Sequence, residues 1–121
     1  ARATVENVCF ANQLTRHWGR TLSSEFKRGA CHAGSYESSL VLAARPELVH
    51  EEIRRGLAPV NVSLSDAIRE GKTEFVSMGL RDAYAGEPHE ASAREGEALY
   101  GQLATMIVAA VREALGLQPA P

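Results

Sequence analysis

The clearest pattern in the chain is the helical period near its C-terminal end. Leu99, Leu103, Met106, Ile107, Ala110, Val111 and Ala114 recur at three- and four-residue intervals, a spacing that places side chains on one face of a helix. Ser92 and Glu95 stand ahead of this run as Ser-x-x-Glu, a capping box. Gly116 is a natural C-cap and Pro119 prevents continuation. The pattern predicts an amphipathic helix of about 23 residues and about 35 Å, which needs a broad surface to lie on. Near the other end, Val5, Val8, Cys9, Phe10 and Ala11 are partly consecutive. They predict a strand over Thr4–Asn12, buried on both faces.

Between these two, the pattern is shorter-ranged. Gln13 to Ala30 is polar and basic, with Arg16, His17, Arg20, Lys27 and Arg28, and reads as a loop holding one short helix near a site. A helix is expected from Tyr36 to Ala44. It should stop at Arg45 because a residue before proline is pushed out of the helical region. Pro46 to Arg55 reads as a further short helix, with Pro46 at its first position and Gly56 just past its end. Leu57–Val62 reads as extended, Ser65–Glu70 as a helical turn, Phe75–Leu80 as a strand or packed loop, and Arg81–Glu90 as a loop. Only one strand is well marked, with two more conceivable, which is a thin sheet for so long a helix. The tail Gln118–Pro121 is expected to fray.

Composition narrows the class. The chain has 121 residues, 45% hydrophobic and 23% charged, which suits one compact domain able to bury roughly two-thirds of its unfolded surface. A net charge of −2 offers no electrostatic case for nucleic acid or an anionic membrane. Cys9 and Cys31 form no CxxC pair, which argues against a zinc ribbon or disulfide framework and fits a reducing cytoplasm. No apolar run reaches the ~20 residues of a membrane span. The chain opens with Ala1 rather than Met, so a processed, trimmed or partial chain is expected.

Candidate chemistry concentrates in Cys31-His32-Ala33-Gly34-Ser35-Tyr36-Glu37-Ser38-Ser39. Gly34 permits backbone angles that other residues avoid. Ser35 is a good N-cap, and Glu37 falls in the first helical turn, where the helix dipole favours an anion. An imidazole and a carboxylate brought together by the Ala33-Gly34 turn can transfer protons. The plainer reading, that His32 caps a loop and Glu37 only supports a helix start, fits the residue chemistry equally well. Gly29 to Gly34 has the spacing of a phosphate loop, but Ser35-Tyr36 follow where Lys-Ser or Lys-Thr is required. Cys31 and His32 are sequence neighbours that point to opposite sides in an extended segment, so Cys31 reads as a small packed residue. His17, His50 and His89 are isolated and read as surface or loop residues. Trp18 reads as core or interface.

His32-Ala33-Gly34-x-x-Glu37-x-Ser39-Leu40, running on to Ala44-Arg45-Pro46-Glu47-Leu48-Val49, resembles the C-terminal half of the creatininase family of metal-dependent amidohydrolases. That family's usual form is His-Ala-Gly-x-x-Glu-Thr-Ser, then a helix and Arg-Pro-Glu-Leu-Val. A second, weaker patch agrees in order: Gly86-x-Pro88-x-x-Ala91, then Glu95-Gly96 and the long closing helix. Together they span Val5 to Leu115.

The resemblance implies an α/β fold, with residues 1–121 forming the C-terminal half of a three-layer α/β/α domain that ends in the long helix. It implies hydrolysis of a non-peptide or cyclic amide C–N bond by a water activated at two divalent metals, zinc, manganese or iron. His32 is then the expected acid/base. Glu37 supports it beside the metals or touches one. Arg28, Cys31 and Tyr36 fall on the substrate side. The family's Glu-x-His…Asp and His-Gly-x-Asn ligand motifs do not occur in this chain, so a complementary N-terminal-half chain, or a preceding segment, is expected to supply the main ligands. Members that open creatinine carry a tryptophan four residues before the histidine. Arg28 holds that position here, which implies an anionic or larger amide substrate. By the same analogy the assembly is a higher oligomer. The alternative is a non-catalytic structural or regulatory half.

Overall fold

The computed structural model describes residues 8–30 and 32–117. Cys31, the first part of the expected strand, and the expected frayed tail lie outside these residues. The described chain forms six α-helices: α1 (Arg16–Gly19), α2 (Ser24–Lys27), α3 (Ser35–Ala44), α4 (Glu51–Gly56), α5 (Leu64–Arg69) and α6 (Ala93–Ala114). Two short 3₁₀ turns, Pro46–Leu48 and Pro88–Glu90, link them.

The largest contact between elements is α3 against α6. It rests on Gly96, where a built Cβ would fall 2.6 Å from the Ser39 carbonyl carbon and 2.8 Å from the Ala43 Cβ. No side chain larger than hydrogen lets the two helices cross so closely. Beside this crossing Leu22, Tyr36 and Leu99 form one buried cluster, with Phe26, Leu40 and Leu103 packed on it. A second cluster gathers Ala30, Ala67, Met78, Leu80 and Ala85 under Val60, Val62 and Leu64.

The long helix forms over almost the predicted span, with Ser92 as N-cap accepting from the Glu95 N–H at 3.2 Å. The other half of the capping box is re-routed. The Ser92 N–H donates to the Ser39 hydroxyl at 3.0 Å, and that hydroxyl donates to the Glu95 carboxylate at 3.3 Å. A buried serine from α3 is therefore inserted into the cap of α6, tying helix start to helix crossing. Gly116 takes the expected left-handed C-terminal conformation, φ +67°.

Several expectations are corrected. Among the described residues no strand forms, so the three-layer α/β/α arrangement is not seen in them. Residues 8–12 are irregular, with Val8 and Phe10 72% and 81% exposed: an apolar run without a partner segment cannot make ladder bonds. Extended pairing survives only as isolated antiparallel bridges, His32 with Ala85 and Val60 with Gly86. The left-handed residues Ala33 (φ +50°) and Gly86 (φ +114°) stop both from growing. Phe75–Leu80 is a packed succession of turns in which the Leu80 N–H returns to the Phe75 carbonyl at 2.8 Å. The expected helix over Pro46–Arg55 is split, because Val49 turns extended and His50 leaves the helical region between the 3₁₀ turn and α4. Gly56 closes α4 from inside. The basic loop holds two helical turns rather than one, each capped from the side, Thr15 over α1 and Ser23 over α2. Among the described residues no helix is long and apolar enough to cross a membrane.

Candidate functional site

The turn from His32 to Glu37 is built as a helix entrance, but with different parts from those its sequence suggests. Ser35 is the first residue of α3, and Gly34 is the N-cap, offering no side-chain bond. Gly34 has φ −85°, an ordinary value, and it is Ala33 that adopts the left-handed conformation. Such a conformation costs an L-residue roughly 1–2 kcal/mol. Glu37 offsets part of that cost by folding back, its Oε2 accepting the Ala33 N–H at 2.7 Å. This is the return bond of a capping box, moved one residue outward.

The first N–H groups of α3 are satisfied by a residue that local spacing does not reveal. Glu25, on α2, is 1% exposed. One carboxylate oxygen accepts the Tyr36 N–H at 2.9 Å; the other accepts the Ser35 N–H at 3.0 Å and the Glu87 N–H at 2.6 Å. Gly34 and Gly86 make the room. A Cβ on Gly34 would fall 2.6 Å from Glu25 Oε2, and one on Gly86 would fall 3.1 Å from Glu25 Cγ and closer to the carboxyl group. The Gly in His-Ala-Gly therefore serves close approach rather than unusual angles. The only trace of this in the sequence is an acid between Ser24 and Phe26 in the basic loop, with small residues at positions 34 and 86.

The two principal candidates leave this turn toward different neighbours. The half-buried His32 ring packs on Phe75, centroids 4.7 Å apart and planes tilted 39°. Its backbone carbonyl accepts the Ala85 N–H at 2.8 Å. Glu37 lines an open groove of about 390 Å³ between α3 and α4. His32 does not line that groove, and no hydrogen bond or ion pair joins His32 to Glu37. His50, read from sequence as isolated, lines the groove together with Glu37.

The remaining walls are mainly apolar, from Val41, Leu48, Ile53 and Leu57. Arg54 at the base is buried and fully engaged. It donates to both oxygens of Glu51 at 2.7 Å and to the Pro88 and His89 carbonyls at 2.6 and 2.9 Å. Hydrogen bonding from Arg54 holds the Glu51 carboxyl down at about 2. The same pair raises the Arg54 pKa above its ordinary value. Arg54 thus works as a fastener between α4 and the Pro88 turn, with no charge free for the groove.

The substrate-side candidates are spread out. Arg28 is 54% exposed and pairs with Glu87 at 2.9 Å. Tyr36 is 3% exposed in the core, its ring 5.0 Å from that of Phe26 and its hydroxyl donating to Gln13 at 3.1 Å. Cys31 lies outside the described residues. A divalent metal of the kind the resemblance implies needs at least three protein donors. Among the described residues no group of three His, Cys, Asp or Glu side chains converges to hold one. The described residues by themselves therefore do not fit a metal centre, and Glu37 stands as a single carboxylate on the groove.

No curated protein and no solved structure matches the chain. Residues 2–111, however, match the family described as creatinine amidohydrolase. The match takes in the His-Ala-Gly turn, the groove helices and most of α6. Enzymes of this family hydrolyse C–N bonds and generally bind a divalent metal. A match over so much of its length makes the chain a member of the creatininase family.

Proposed function

We propose that this chain forms the C-terminal, acid/base part of a metal-dependent amidohydrolase that cleaves a non-peptide or cyclic amide of a small molecule. Family membership over residues 2–111 carries the reading. It is supported by the placement of His32 and Glu37 at opposite ends of one strained, tightly bonded turn. His32 takes a proton from the water as its oxygen bonds to the carbonyl carbon, and delivers that proton to the nitrogen as the C–N bond breaks. Imidazole suits the task because it can both take up and give up a proton through its ring nitrogens. Glu37 holds the turn through Ala33 and faces the groove from the same helix start. The metal ligands belong to polypeptide beyond the described residues, a preceding segment or a complementary chain, and the same polypeptide completes the three-layer sheet. The assembled enzyme is a higher oligomer.

Replacing His32 by alanine tests the reading. Loss of general acid/base help lowers turnover about 10²–10⁴-fold, with the circular-dichroism spectrum and melting temperature unchanged. Unchanged turnover removes His32 from the chemistry. Metal analysis of the 121-residue chain with and without co-purifying polypeptide tests the shared site. Divalent metal and amidase activity present only in the pair support it, whereas an active partner alone makes this chain a structural or regulatory half.

A further inference from the structure

Glu25 is the most deeply buried carboxylate among the described residues, and the proposed chemistry does not use it. Its three bonds join segments far apart in sequence: α2, the first turn of α3, and the Ala85–Glu87 stretch that is bridged to His32. Hydrogen bonds to a charged acceptor are about twice as strong as neutral ones, and three N–H donors at 2.6–3.0 Å leave the carboxylate little freedom. Gly34 and Gly86 press against the same group from either side. His32 takes its place from the Ala85 bridge. Glu37 takes its place from the start of α3. Among the described residues Glu25 is the one side chain bonded to both of those supports.

We propose that Glu25 is a positioning residue. By binding the Ser35, Tyr36 and Glu87 N–H groups together, its carboxylate sets where the His32 imidazole and the Glu37 carboxylate stand relative to each other. The functional meaning of that placement rests on the acid/base reading above, but the placement is testable without activity.

The test follows the His32 ring by NMR in the protein as it occurs, together with whatever polypeptide accompanies it. The ring signal is assigned by its loss in His32→Ala. In the native protein it carries a ring-current shift and a through-space contact to Phe75, as the 4.7 Å centroid distance requires. In Glu25→Gln at least one N–H faces an amide NH₂ in place of an acceptor. The His32 shift then moves toward its free value and the Phe75 contact weakens, while the folded fraction is held by low temperature.

Ser35→Pro is the second variant. Ser35 is the first residue of α3, where the fixed φ of proline is tolerated, and the substitution replaces the N–H that Glu25 accepts at 3.0 Å by a ring carbon that pushes the carboxylate away. It moves the His32 signal the same way, and it decides the matter should Glu25→Gln not fold. Met106→Ala is the control, a core truncation between three and four turns into α6. It lowers stability and leaves the His32 signal in place. An unmoved His32 signal in Ser35→Pro and in folded Glu25→Gln overturns the proposal. So does an equal movement in Met106→Ala, which makes Glu25 merely structural. A native turnover in His32→Ala sinks the acid/base reading and leaves this result standing.

Discussion

Gly96 lies directly against the backbone carbonyl of Ser39: a Cβ built on it would come 2.6 Å from the carbonyl carbon and nearer still to the oxygen. The crossing of α3 and α6 therefore depends on a missing methyl group. Gly101, five residues further along the same helix, meets nothing within 4 Å.

One substitution at these two positions should have opposite signs. Gly96→Ala forces the helices apart and should destabilise by about 1–3 kcal/mol or more, as overpacked cores do. Gly101→Ala should stabilise by roughly 0.5–1 kcal/mol, since glycine inside a helix costs about that much. Urea unfolding of the two variants measures both. Equal effects would mean that the crossing is not close at Gly96.

Ser39 is fully buried and stands between the Ser92 N–H and the Glu95 carboxylate. Ser39→Ala leaves that N–H without its partner and should cost about 1–3 kcal/mol. Glu95→Gln keeps an oxygen for the Ser39 hydroxyl and should cost no more than the ~0.3–1 kcal/mol of a lost charge at a helix start. Hydrogen exchange of the Ser92 amide should quicken in the first variant and not in the second.

Glu37 accepts the Ala33 N–H, and substitution separates that bond from the role proposed for it in the reaction. Glu37→Gln retains an oxygen able to accept the Ala33 N–H, so the melting temperature should stay close to that of the native protein. Glu37→Ala removes the bond and should cost about 1 kcal/mol, the usual scale for a helix-start side chain. If Glu37 takes part in the reaction, both variants should lose activity alike despite their different stabilities. Full activity in Glu37→Gln would confine Glu37 to the turn.

The Arg54–Glu51 pair sets an acid limb. The Glu51 carboxyl is lowered from 4.5 to about 2, chiefly by its hydrogen bond to Arg54. A carboxyl with a lowered folded-state pKa stabilises fully above its unfolded value, and that contribution is lost as pH falls toward the folded value. The melting temperature should thus decline between pH 4.5 and 2. Glu51→Gln should flatten this part of the profile and leave the neutral region the less stable, because the base of the groove loses the partner of a buried guanidinium. An unaltered acid limb would show that Glu51 does not titrate with folding.

The extent to which the sequence reveals the fold follows the range of each interaction. α6 was legible because its helical period and Ser-x-x-Glu cap act within four residues, and the end of α3 because Pro46 stops it. The stretch after Arg45 was half legible: Pro46 starts a turn as expected, but nothing local announces that Val49 and His50 leave the helical region and divide the helix. The expected strand over Thr4–Asn12 failed where it can be seen, since an apolar run records only a wish for burial. Among the described residues no neighbouring segment covers Val8 and Phe10.

The site divides along the same line. The run from His32-Ala33-Gly34 through Glu37 to Arg45-Pro46-Glu47-Leu48-Val49, with the weaker patch around Gly86 and Glu95, identified the family by order, and the match over residues 2–111 bears that family out. Their geometry did not follow from the order. Glu25 reaches partners 10, 11 and 62 residues away. His50 joins Glu37 on one groove only because α4 folds back beside α3. Period and capping are written in the nearest few side chains. The placing of a buried carboxylate among three N–H groups, between two glycines, comes into being only when distant segments are pressed to within 3 Å.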